Sequence, residues 1–247
     1  MANWNDPQPS RTGFGASPSL NGAAIGRAGY DMGLRRHMLS IYNYMASGIL
    51  LSGIVALLFA MSGAAQQIMV TPLRWVIALA PLGFVFAMSF GVNRMRTSTL
   101  QMLFWLFSIA MGLSLSAIFL VYTGPSIATT FFATAASFAG LSLVGYTTKR
   151  DLSAMGSFLI MGVIGILVAM LVNIWLQSSG LALAISILGV LIFAGLTAWD
   201  TQRLKNEYRM LAGTEFAGKA VVMGALSLYL DFINLFQFLL SFLGDRR

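Results

Sequence analysis

After its first few dozen residues the chain is a succession of apolar runs, each close to the ~20 residues that a helix needs to cross ~30 Å of hydrocarbon. Seven such runs are expected, at roughly 39–62, 72–92, 100–122, 126–147, 155–177, 181–203 and 221–243. The sequence is 57% hydrophobic and 9% charged, whereas soluble domains carry about 25% charge. A soluble fold has too little interior to hide so much apolar surface, so the solvent is lipid. Barrel strands alternate over about 10 residues and these runs do not. The expected fold class is therefore all-α, a polytopic membrane bundle of seven helices.

Residues 1–36 are polar and rich in Gly, Ser and Pro. That composition cannot bury a core, and it predicts a disordered cytoplasmic arm ahead of a membrane domain at 37–247. Basic residues set the orientation. Arg27, Arg35 and Arg36 precede the first run; Arg94 and Arg96, Lys149 and Arg150, and then Arg203, Lys205, Arg209 and Lys219 fill alternate connections. The connections between them carry no Lys or Arg. The asymmetry predicts a multi-pass protein of the bacterial inner (plasma) membrane with its N-terminus in the cytoplasm. Seven full spans put the C-terminus outside, whereas the tail GDRR argues for a last segment that re-enters or stops short.

Small residues recur at four-residue spacing in the first run (Gly48, Ser52, Ala56, Ala60) and in the third (Ser108, Gly112, Ser116). Such stripes let helix backbones approach closely in lipid. They serve either packing within the chain or a face between two copies.

Two acids alone lie inside the apolar bulk, Asp200 in AGLTAWDTQRLK and Asp231 in ALSLYLDFINLFQFLL. A carboxylate facing lipid costs kilocalories, so these two point inward and suggest function. In the seventh run Ser227, Asp231, Asn234 and Ser241 fall on one helical face, with Gln237 nearby. This stripe turns away from lipid, which predicts a central seventh helix with Ser227, Asn234 and Ser241 lining a path. At about 1.5 Å per residue, Asp231 lies roughly 15 Å from the cytoplasmic end of its helix. Asp200 lies roughly 28 Å from the far end of its own. The two acids meet if the sixth helix tilts, and Arg94 reaches the same level. Two acids and one arginine sum to −1, and one proton makes the set neutral. Carboxylates close together in low dielectric repel, so sharing one proton is favoured over holding two charges.

Other chemistry finds little support. Cysteine is absent, which removes disulfides and thiolate sites. The net charge of +7 sits in clusters at segment ends without interleaved aromatics, so no nucleic-acid partner is expected. Neither HExxH nor GxSxG occurs. Trp199 and Leu230 precede the two aspartates, unlike the contexts of intramembrane aspartyl proteases. The expectation is a protein with no catalytic residues and no cofactor. Ca²⁺ takes 6–8 oxygens, so Asp200 and Asp231 offer calcium only a weak, transient site.

In these same residues the chain resembles the Bax inhibitor-1 family, the transmembrane Bax inhibitor motif proteins, in a bacterial version. ALSLYLDFINLFQFLLSFLG carries the likeness most specifically, with WDTQRLK and the charged turn TKRDLSAMGSFL beside it. The resemblance implies a C-terminal helix wrapped by the other six and a passive, pH-dependent calcium leak. It implies that Asp200 and Asp231 are the paired aspartates. It also implies that Arg94 is the latching arginine, with Arg96 as a competitor. An alternative role follows from bacterial relatives that associate with a membrane-embedded AAA protease: a non-enzymatic regulatory partner of such a protease.

Overall fold

The computed structural model describes residues 18–247, with side chains from residue 32 onward. Its helices are α1 (Pro18–Met61), α2 (Ala64–Met69), α3 (Leu73–Gly91), α4 (Thr97–Leu115), α5 (Ile118–Val121), α6 (Gly124–Thr147), α7 (Ser153–Leu176), α8 (Ser179–Leu211) and α9 (Phe216–Leu243). Seven stretches are long and apolar enough to cross a membrane, with α4 and α5 forming one of them. The fold is an all-α polytopic bundle.

α1 starts at Pro18, inside the stretch expected to be an arm, and runs without a break into the first span. Composition weighs the missing core but not the neighbouring helix. Extending an anchored helix adds a bond per residue and needs no new nucleus, and proline suits a first turn. Residues 1–17 of the expected arm lie outside the described residues. α8 is also longer than its apolar run, reaching Leu211 through the basic stretch after Asp200. Pro81 is buried within α3 and does not end it.

α9 is the centre of the bundle. In its most apolar stretch 56% of residues are buried, against 11% in α3 and in α7. It packs mainly on α1, α4, α6 and α8, while α3 lies outside against α4 and α7 outside against α8. α9 is central, as expected; four spans pack on it directly, while α3 and α7 pack chiefly one layer out, on α4 and α8. α4 and α8 already cover those sides of α9, and α3 and α7 bury their inner faces on them instead.

The small-residue stripes join α1 to α4 within the chain. Gly48 faces Phe104 and Ser108, and Gly112 faces Val55 and the Ser52 carbonyl. Ser52 Oγ lies 2.6 Å from Tyr229 Oη and donates to the Ser108 carbonyl at 2.7 Å, tying α1, α4 and α9 at one buried point.

The basic connections converge on one end of the bundle. Lys219 Nζ donates to the Val92 carbonyl (3.0 Å) and Lys205 Nζ to the Tyr146 carbonyl (2.7 Å). Gln202 donates to the Arg150 carbonyl and accepts from the Leu152 N–H, both at 2.8 Å. The chain end lies at the opposite face. Thr123 N donates to the Asp245 carbonyl and Arg247 N to the Val121 carbonyl, while Arg246 sits over the Tyr122 ring. The last segment is thus one uninterrupted helix from end to end, and the basic tail that argued against a full span is held by an aromatic ring and a loop backbone.

Candidate functional site: a buried carboxylate pair

α8 turns one face inward along Gly189, Phe193, Leu196, Thr197, Asp200 and Leu204, a three- and four-residue spacing that keeps a single stripe buried. Asp200 therefore enters the core by the same periodicity as its apolar neighbours. α9 is buried on most sides around Asp231, between Tyr229 and Phe232. The two acids are 6% and 5% exposed, and their carboxylates lie within hydrogen-bonding reach of each other. Asp231 Oδ2 has no hydrogen-bond partner among the described residues.

The cation beside the pair is Arg203, one helical turn from Asp200. Its Nη1 is 2.9 Å from Asp200 Oδ1, and its Nε is 3.3 Å from Glu207 Oε1. Both are ion pairs by distance, but their angles fall outside those of a hydrogen bond, so Asp200 Oδ1 and Arg203 Nε keep unfilled capacity. Arg203 Nη2 donates to Ser227 Oγ at 3.2 Å, and the guanidinium lies 4.9 Å from the centre of the Trp199 ring.

Arg94, the expected latch, is exposed in the connection after α3 and makes no ion pair among the described residues. That connection meets α9 at Lys219, roughly 18 Å along the helix from Asp231 at about 1.5 Å per residue. Arg96 is exposed as well. The signal for Arg203 was present in WDTQRLK, since acid and base three apart share a helix face. Positive charge near a segment end reads first as topology, and that reading hid it.

The polar stripe of α9 divides in two. Ser227 touches Arg203 on the basic side. Asn234 and Ser241 line a crevice of about 660 Å³ between α7, α8 and α9, with Asn173, Ser186 and Gln237. Ser186 Oγ donates to Ser241 Oγ at 2.9 Å, and Asn234 Nδ2 donates to the Leu230 carbonyl. A smaller crevice of about 280 Å³, walled by Trp199, Arg203 and Glu207, lies on the basic side. The carboxylates sit between the two, with the stacked rings of Phe193 and Phe238 (centroids 5.7 Å apart) in the packing beyond them. Among the described residues no third acid or histidine joins the pair in a group that could hold a metal ion.

A family profile described as "Inhibitor of apoptosis-promoting Bax1" matches residues 34–247. The chain is 46% identical over 219 residues to "Inner membrane protein YbhL" of Escherichia coli K12, covering 87% of this chain and 94% of that protein. It is 47% identical to "Uncharacterized protein RP147" of Rickettsia prowazekii, covering 88% and 93%. It is 49% identical to an uncharacterized protein of Caulobacter vibrioides, covering 88% and 91%. With its seven-span bundle and the match along nearly all of the spanning region, the chain belongs to the Bax inhibitor-1 family of membrane proteins.

Proposed function

We propose that the protein is a non-enzymatic, pH-sensitive leak path for calcium or a similar cation, gated by Asp200 and Asp231. The observation that carries this reading is the pair itself: two buried acids from adjacent helices, facing each other, with one arginine divided between Asp200 and a more exposed glutamate. Buried carboxylates this close are stabilised by a proton between them, because two uncompensated charges in lipid-shielded protein are costly. In the closed state the pair shares that proton and bridges α8 to α9. When the proton leaves, repulsion favours states in which the helices part, and the population shifts toward an open path. Asn234, on the next turn from Asp231, and the crevice beyond it to Ser241 supply the polar continuation on one side. Ser227 and Arg203 supply it on the other.

We place the protein in an inner membrane with its N-terminus in the cytoplasm. The convergence of the basic connections on one end supports that orientation, and the name of the YbhL relative supports the compartment. Calcium uptake into proteoliposomes at several pH values tests the function. Passive uptake that changes with pH supports a gated leak. Uptake equal to that of protein-free vesicles at every pH contradicts it, and accumulation against the calcium gradient makes the protein a transporter instead.

Arg203 takes the clamp role in this reading. Arg203→Gln removes the cation that favours the ionised pair, so the flux transition is expected to move to higher pH. An opposite charge at this range is worth about 1–3 pH units. With 34% of the side chain exposed, a shift of about one unit is expected after allowance for solvent screening. Arg94→Gln is expected to leave the flux–pH curve in place. The same proteoliposome titration compares the two, and a larger shift from Arg94→Gln would reverse the assignment.

A further inference from the structure

α1 and α6 diverge across the face of the bundle. Between them lies an apolar groove of about 860 Å³, with Phe138 and Phe232 on its inner side. Its wall on α1 runs from Arg35 to Leu50 and its wall on α6 from Tyr146 to Phe131. Each wall covers roughly 22 Å at about 1.5 Å per residue. One leaflet of hydrocarbon is about 15 Å deep, so the groove is as long as one leaflet plus its headgroup layer.

Among the described residues the groove is charged at one end only. Arg35 is exposed at its mouth and makes no ion pair among the described residues. Tyr146 lines the same end, where Lys205 Nζ lies over its ring and donates to its carbonyl. This is the basic end of the bundle. At the rim, Leu39, Leu50 and Leu143 are exposed toward the region where lipid chains lie. The wall hydroxyls are satisfied within the protein: Tyr42 Oη lies 2.9 Å from Ser142 Oγ, which in turn lies 2.8 Å from Thr201 Oγ1. An occupant needs an anionic head at Arg35 and a single apolar tail one leaflet long.

We propose that this groove binds one acyl chain of an anionic phospholipid, with the lipid phosphate held by Arg35. Arginine matches phosphate oxygens in a planar, bidentate geometry, and each basic side chain at an anionic surface contributes enough to favour a charged lipid about fivefold. The tail replaces disordered lipid against Phe138, Phe131 and Phe232, where close van der Waals contact decides affinity in a bilayer. This site is separate from the carboxylate pair and does not depend on the leak reading.

Native mass spectrometry of the intact chain, released from detergent with equimolar phosphatidylglycerol and phosphatidylcholine, tests the proposal. The wild type is expected to retain one lipid, with phosphatidylglycerol favoured about fivefold. Arg35→Gln is expected to bring that preference to about twofold or less. Ala139→Trp fills the groove and is expected to abolish retention of both lipids. Ala46→Trp blocks it from the facing helix should Ala139→Trp fail to fold. Equal retention of the two lipids by the wild type, a preference that survives Arg35→Gln, or retention unaffected by either tryptophan would overturn the proposal. So would lipid that binds only after residues 1–17 are removed, which assigns the groove to that segment. A wild-type dimer that Ala139→Trp converts to monomer assigns it to a second copy and also overturns it.

Discussion

Asp231→Asn and Asp200→Asn are each expected to flatten the pH dependence of calcium flux and to hold the flux low. An amide is nearly the size of a carboxyl group but does not titrate. In either variant its N–H₂ donates permanently to the remaining carboxylate, reproducing the hydrogen bond of the shared-proton state. The link between α8 and α9 then no longer opens by proton loss. A gate governed by one proton can change at most about tenfold per pH unit, since one unit corresponds to about 1.4 kcal/mol. Over an interval in which wild-type flux follows that slope, each variant is expected to vary less than about twofold, well below that one-proton limit. Flux–pH curves that coincide with wild type in both variants would remove the pair from the gate. The double Asn variant checks that neither single substitution leaves a residual titration from the partner.

Gly145 on α6 carries the largest expected effect on folding. A Cβ at this position would overlap the backbone carbonyl of Ala198 on α8, and a backbone has no rotamer with which to yield. Gly145→Ala therefore pushes α6 away from α8, two residues from Asp200, and strains the Ser142–Thr201 hydroxyl contact (2.8 Å) one turn away. Overpacking of this kind costs about 1–3 kcal/mol, and Gly145→Val costs more than Gly145→Ala. Gly140 on the same helix supplies the control, because a Cβ there meets nothing within 4 Å. Helix propensity alone favours Ala over Gly by about 1 kcal/mol, so Gly140→Ala is expected to be neutral or stabilising. Thermal unfolding in detergent separates the cases by sign. Equal shifts for Gly140→Ala and Gly145→Ala would mean that the close approach of α6 and α8 contributes little.

The spans were legible because lipid imposes a length and a composition that few other environments require. The inward turn of Asp200 and Asp231 was legible for a related reason, since only the interior tolerates them. Their meeting was not fixed by sequence. It depends on α8 continuing past the bilayer edge to Leu211, which lets Asp200 sit well within the helix rather than at its end. Basic residues at a segment end carry the orientation signal, and that signal masks Arg203 as the ion-pair partner of Asp200. The disposition of Arg94 follows from α3 lying outside α4, a packing choice with no local signature. Ser227, Asn234 and Ser241 share a helical face as expected, but the helices packed around them place Ser227 on one side of the pair and the other two in a crevice on the other. The groove between α1 and α6 is likewise a product of divergence between distant segments, and nothing in either helix alone announces it.

The claim that the pair holds a single proton that leaves as the path opens is tested most directly by infrared difference spectroscopy of the reconstituted protein. The signal is the C=O stretch of protonated carboxyl groups, followed through the pH interval in which flux changes. The account predicts a signal equivalent to one proton per chain, lost in step with the rise in flux and missing from the double Asn variant. A pair with no such signal at any pH where flux changes, or a signal that titrates apart from the flux, would contradict it.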